Sequence, residues 1–231
     1  MRETDTNADM SHQNRLQYQF GEFCNSIKEN GLISTVKKIG QRVDYKIKGL
    51  DFATQNIYDL TRTGEYKEHG TALVSTSKDS LTKIINDLEL AIGKKIEKNL
   101  FIDYGSGKGS AIIHAKNLGF KSCVGIEFAK ELNDIANENI KKLKLKGVTS
   151  LYQDATCYIP SSNVSIIYFF NPFDKIVMQK VIENLLDAKE EFNDNVYVIY
   201  GNASCDVLDR YLTLIKKITY PSGSTVDFYK L

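Results

Sequence analysis

The stretch Leu100-Phe-Ile-Asp-Tyr-Gly-Ser-Gly-Lys-Gly-Ser110 carries an apolar run into an acidic residue and then into three glycines at alternate positions. Glycines so spaced let a backbone turn sharply out of a strand and approach a ligand more closely than a Cβ permits. A helix over Ser110–Leu118 is expected to open at that ligand. Spacing narrows the templates. The phosphate-binding loop of NTPases, Gly-x-x-x-x-Gly-Lys-Ser/Thr, fails twice, because alignment on Gly107-Lys108 leaves Ile at 102 and Gly at 109. The dinucleotide fingerprint Gly-x-Gly-x-x-Gly/Ala, set on Gly105 and Gly107, meets Ser at 110. The pattern acidic-x-Gly-x-Gly-x-Gly fits at every place, as Asp103, Gly105, Gly107 and Gly109.

With its hydrophobic lead-in, that pattern resembles the first motif of the class I S-adenosylmethionine-dependent methyltransferases. An ordinary glycine-rich strand-to-helix turn is the alternative reading of this motif taken alone. The resemblance implies that Gly105, Ser106, Gly107 and Gly109 bring backbone against the amino-acid end and ribose of S-adenosyl-L-methionine. Asp103 would orient the loop or meet the methionine ammonium. Further on, Lys121-Ser-Cys-Val-Gly-Ile-Glu127 reads as a short strand ending in a carboxylate. It lies about 20 residues past the first glycine, where a βαβ unit delivers an acidic residue to ribose hydroxyls. Glu127 is therefore the candidate ribose ligand, with Phe128 beside it in the cofactor site; a solvated loop carboxylate is the alternative. A helix with Leu132, Ile135, Ala136 and Ile140 on one face follows. Val148–Gln153 suggests a third strand, and after it the resemblance assigns Asp154 and Ala155 to the adenine, Asp154 accepting from the exocyclic amine. Its other reading is a helix N-cap or turn residue.

The fourth strand, Val164-Ser-Ile-Ile-Tyr-Phe-Phe170, is apolar enough to be buried on both faces of a parallel sheet. It ends in Asn171-Pro172-Phe173-Asp174. In amino-methylating members of the same family the fourth motif often reads Asp/Asn/Ser-Pro-Pro-Tyr/Phe, and this chain is one proline short of it. By resemblance Asn171, Pro172 and Phe173 are the catalytic candidates: Asn171 would supply an oxygen that orients an amine near the methyl, and Phe173 an aromatic face for developing positive charge. The alternative is that Asn-Pro stops the strand and turns the chain. Asp174 and Tyr168 are the residues considered for a general base.

Helix Lys175–Lys189, a fifth strand Asn195–Tyr200, a helix from about Ser204 to Leu214, and alternating segments Ile215–Tyr220 and Thr225–Leu231 complete the pattern. Strands alternating with helices predict an α/β, doubly wound, mostly parallel sheet with ligands at the carboxyl ends of its strands. The resemblance makes this a seven-stranded Rossmann-like methyltransferase fold closed by a C-terminal antiparallel hairpin. Residues 96–231 form the expected S-adenosylmethionine-binding domain. Residues 1–95 form a helical extension, with 1–14 disordered, helices over Leu16–Ile39 interrupted near Gly31, a helix over Leu81–Ile92, and a less regular stretch over 49–70 that would cover the cofactor and acceptor.

Composition adds limits. The chain has 231 residues, 42% of them hydrophobic, and a net charge of +1, which supplies no global footprint for nucleic acid or membrane. The lysine run Lys141–Lys146 reads as the solvated end of a helix. Cys24, Cys123, Cys157 and Cys205 include no Cys-x-x-Cys, and His12, His69 and His114 lack ligand spacing, so no metal site is expected. Reduced thiols and the lack of an apolar signal segment favour a soluble, cytoplasmic protein. The expected function is methyl transfer to an unidentified protein or small-molecule acceptor, nitrogen favoured and oxygen open. A noncatalytic cofactor-binding subunit and an NAD-dependent dehydrogenase are the competing readings.

Overall fold

The computed structural model describes residues 31–53, 60–61, 75–192 and 195–231. The expectations for residues 1–14, for a helix before Gly31 and for most of the stretch 49–70 lie outside them. The chain divides into two compact units, Met1–Ile47 and Lys48–Leu231. In the first, helix α1 spans Leu32–Ile47. It continues past the expected end at Ile39 because Val43 and Ile47 extend the apolar period of Leu32, Val36 and Ile39, and Gly40 alone does not break a helix.

The second unit begins with α2 (Lys78–Ile92), capped at its start by Ser77, whose side chain accepts from Ser80 N–H. Then come β1 (Leu100–Tyr104), α3 (Ser110–Asn117), β2 (Ser122–Glu127), α4 (Lys130–Lys142), β3 (Val148–Tyr152), β4 (Val164–Phe170), α5 (Lys175–Asp187), β5 (Tyr197–Gly201), α6 (Val207–Tyr211), β6 (Thr213–Thr219) and β7 (Thr225–Lys230). Among the described residues these strands form one seven-stranded sheet in the order β3-β2-β1-β4-β5-β7-β6. The first five are parallel, and β7 runs antiparallel between β5 and β6. This is the doubly wound sheet with a terminal antiparallel hairpin that the sequence pattern implies.

The helix expected over Ser204–Leu214 is corrected to the single turn Val207–Tyr211, and the hairpin's first strand starts at Thr213. Thr213 and Leu214 are drawn into the ladder opposite Lys230 and Tyr229, and sheet pairing overrides a short helix with little to bury.

Two apolar layers sandwich the sheet. Ile167 and Phe169 of β4 face one layer with Val177, Val181 and Leu185 of α5, whereas Ile166 and Tyr168 face the other with Leu81, Ile85 and Leu88 of α2 and Ile112 of α3. The alternation follows from the two-residue period of a strand. Strand order reverses between β1 and β4, so the crevice at a doubly wound sheet's switch point lies at the carboxyl ends of these two strands.

Candidate functional site

At that crevice β1 runs into the glycine turn. Gly105 N–H and Ser106 N–H both donate to the Ile126 carbonyl, at 2.8 and 3.0 Å, so the turn hangs from the end of β2. Gly105 has φ +79°, and a Cβ there would stand 2.3 Å from Pro172 Cβ. The glycine turn and the Asn171-Pro172 end of β4 are thus in direct packing contact. Gly107 also has positive φ. Gly109 (φ +80°) opens α3, and a Cβ on it would come within 3.0 Å of Ala136 Cβ on α4. Close packing as well as backbone conformation therefore demands glycine at two of the three motif positions.

Glu127, 3% exposed, closes the turn from the other side. Its Oε2 accepts from Gly107 N–H at 2.7 Å and its Oε1 from Ala129 N–H at 2.8 Å. The carboxylate bridges the glycine turn to the start of α4. Burial raises its pKa to about 7, against the lowering effect of the backbone donors at Ala129, Gly107 and Phe128. Asp103 is buried too, and its pKa is raised to about 8, by desolvation first and by the charge of Glu127 second. Two buried carboxylates that resist ionisation suit a ligand bringing hydroxyl donors or positive charge, since such a ligand stabilises the ionised form. Ser106 Oγ is buried without a hydrogen-bond partner among the described residues, close to Gly125, where a Cβ would lie 2.4 Å from it.

Beyond Glu127 the chain continues through half-buried Phe128. Gln153 N–H donates to the Glu127 carbonyl at 2.9 Å, which sets the end of β3 beside that of β2. Asp154 follows, 9% exposed, with Oδ1 accepting from Thr156 N–H and the Thr156 hydroxyl at 2.8 Å each. It caps the short 3-10 turn Ala155–Cys157. Asp103, Gly105–Gly109, Phe128, Glu127, Asp154, Ala155, Asn171 and Pro172 are accordingly all carried at or just beyond the carboxyl ends of β1 to β4.

Asn171 takes φ +46°, a left-handed conformation that asparagine tolerates better than most residues and that turns the chain abruptly out of β4. Phe173 goes elsewhere. It is 6% exposed, belongs to the apolar core and packs edge-on against Phe169 at 6.0 Å between ring centroids. Asp174 caps α5, its Oδ1 accepting from Ile176 and Val177 N–H. Tyr168 is fully buried, desolvation holds its pKa far above the usual tyrosine value, and its hydroxyl shares a 3.0 Å hydrogen bond with Thr76. His114 is buried, with a pKa lowered to about 4 chiefly by desolvation. Among the described residues no cluster of three or more His, Cys, Asp or Glu is placed to hold a metal, and no helix is long and apolar enough to cross a membrane.

Sequence reading missed three residues behind the turn. Lys108, inside the glycine motif, is 3% exposed, and its Nζ donates to Asp51 Oδ2 at 2.8 Å. Asn139 of α4, 1% exposed, donates to the carbonyls of Asp51 and Lys108 and accepts from Asp51 N–H. Asp51 and Lys108 are 57 positions apart, so no local pattern announces the pair. The one available signal was asparagine at 139, among the residues of a helix face that also carries Ala136 and Ile140.

A family profile described as a methyltransferase domain matches residues 96–223, more than half of the chain. No curated protein matches by sequence. Among solved structures, an RNA methyltransferase from Salinibacter ruber in complex with S-adenosyl-L-homocysteine is similar, with TM-score 0.52 and 20% identity over 68% of this chain and 93% of that one. The 16S rRNA N2 G1207 methyltransferase of T. thermophilus, in complex with AdoMet and guanosine, gives TM-score 0.51 and 15% identity over 68% of this chain and 43% of its own. A protein from Pyrococcus horikoshii gives 0.52 and 11% over 66% and 90%. At these identities the structural likeness concerns the fold alone.

Proposed function

From the premise that this chain belongs to the class I S-adenosylmethionine-dependent methyltransferase family, we propose that it binds S-adenosyl-L-methionine at the carboxyl edge of β1–β4 and transfers its methyl group to a nitrogen acceptor. The observation that carries this reading is the Glu127 bridge, which joins the glycine turn to the start of α4 and leaves a carboxylate at the place a ribose would need one. A carboxylate holds about four lone-pair sites. The N–H groups of Gly107, Ala129 and Phe128 draw on these sites, and the remaining capacity would accept a ribose hydroxyl.

Gly105, Ser106, Gly107 and Gly109 would admit the cofactor close to the backbone, and Asp103 would orient the turn or meet the methionine ammonium. Asp154, with Oδ1 engaged by Thr156, would accept the adenine amine through Oδ2, while Ala155 and Phe128 flank the base. The cofactor brings a methyl group already activated on a sulfonium, so holding an acceptor in line provides most of the rate effect. Asn171 and Pro172, turned out at the end of β4, would orient that acceptor. Nitrogen is favoured by the Asn-Pro-Phe sequence, with the acceptor a protein or a small molecule.

The burial of Phe173 against Phe169 favours a second reading, in which the chain binds the cofactor as a regulatory or interaction subunit without catalysis. Calorimetric titration separates the family-based reading from a dehydrogenase: S-adenosylmethionine is expected to bind and NAD is not. The reverse result would sink it. Incubation of the chain with labelled cofactor and cell extract then separates the two readings, because only an enzyme labels an acceptor.

A further inference from the structure

Lys108 stands in the middle of the glycine motif, yet its charge is not offered to a ligand. Its ammonium, 3% exposed, donates to Asp51 Oδ2 at 2.8 Å, and Asp51 itself is about half exposed. A buried ammonium must keep a partner, because the desolvated charge is costly when alone. The pair is clasped a second time through backbone. Asn139 Nδ2 donates to the Asp51 carbonyl at 2.9 Å and the Lys108 carbonyl at 3.2 Å, and its Oδ1 accepts from Asp51 N–H at 3.0 Å. Lys142 Nζ adds a bond to the Gly49 carbonyl at 2.7 Å.

Lys108 is flanked by two glycines with positive φ, and neither neighbour has a side chain to hold the turn in place. Side-chain and carbonyl bonds at Lys108 therefore add to the backbone bonds of Gly107 and Gly109 in tying this part of the turn down. From there the connection is short: the adjacent Gly107 N–H is the donor to Glu127 Oε2. We propose that the Asp51–Lys108 ion pair, clasped by Asn139, is a positioning latch that holds the glycine turn in its cofactor-binding conformation, so that affinity for S-adenosylmethionine depends on residues 49–53. The proposal rests on the methyltransferase reading and extends it to a segment outside the matched domain.

Because coupling between two sites is reciprocal, bound cofactor must steady the latch as much as the latch favours the cofactor. The test uses the full chain with Asp51→Asn, Lys108→Met and the double variant, titrated calorimetrically with S-adenosyl-L-homocysteine, each also melted without ligand. The double variant contains no orphaned buried ammonium, so it keeps the test valid if Asp51→Asn alone fails to fold. Expected are a loss of affinity of at least about fivefold in every folded variant, and a double variant that melts closer to the unsubstituted chain yet does not regain binding. In the unsubstituted chain, S-adenosyl-L-homocysteine should also slow amide exchange at Asp51 and Ala53, whose N–H groups bond within the latch, and that slowing should vanish in the double variant. A double variant that binds within about twofold of the unsubstituted chain would overturn the latch alone. Failure of the unsubstituted chain to bind would overturn the latch together with the cofactor reading.

Discussion

Replacing Glu127 by glutamine (E127Q) should make the ligand-free protein gain stability relative to the parent as pH rises from 5 to 8. The carboxyl is buried and its pKa is raised from an ordinary 4.5 to about 7. A raised carboxyl pKa means that the folded state holds its proton more tightly than the unfolded chain. Stability from this group is thus fully present below pH 4.5 and lost as pH climbs through 7. At about 1.4 kcal/mol per pH unit, the rise from 4.5 to about 7 amounts to about 3 kcal/mol of stability lost between these limits. The amide of the variant never ionises and escapes that loss. Against this, an amide has one acceptor oxygen, so either Gly107 N–H or Ala129 N–H loses its partner at a cost of about 1–3 kcal/mol. That cost is the same at both pH values. The difference in unfolding free energy between E127Q and the parent should therefore move by about 2–3 kcal/mol in favour of the variant from pH 5 to pH 8. Relief of Asp103, whose pKa is pushed up partly by the Glu127 charge, acts in the same direction. Urea unfolding of both proteins at the two pH values measures it, and a difference that does not change with pH would refute the reasoning.

Other substitutions report on the neighbouring contacts. Gly105→Ala combines a left-handed φ, about 1–2 kcal/mol, with a Cβ driven against the Pro172 ring, about 1–3 kcal/mol; urea unfolding should register a loss of about 2–5 kcal/mol, and a change near zero would contradict the packing of the turn on β4. Phe173→Ala should cost about 3–5 kcal/mol as a core truncation, and a folded variant of nearly unchanged melting temperature would return Phe173 to the crevice. Asn171→Gly should be more stable than Asn171→Ala by about 1–2 kcal/mol, because only glycine enters the left-handed region freely; thermal melts giving the opposite order would reject strain at that turn. Ser106→Ala removes a buried hydroxyl that has no partner among the described residues, so ligand-free stability should hold or rise, and a loss beyond about 1 kcal/mol would point to a hydrogen bond there.

Residue order alone determines the sheet's connectivity and the edge that carries the candidate site. The two-residue period of β4 and the helical periods of α4 and α5 are local signals, and connection rules for parallel strands then leave few topologies. That Asp103, the three glycines, Glu127 and Asp154 share one edge is legible because each lies at or directly after the end of a strand, and strand ends gather at one edge whatever the details of packing. Where local preference meets pairing, it fails: Thr213 and Leu214 read as helix but are held by β7. Phe173 likewise reads as an aromatic beside the acceptor, but the turn at Asn171 delivers its ring to Phe169. Only the tertiary structure brought Asp51 to Lys108 and laid Pro172 on Gly105. Those contacts join segments far apart in the chain, and neither composition nor period encodes which distant residue fills the space beside a glycine or answers a buried charge.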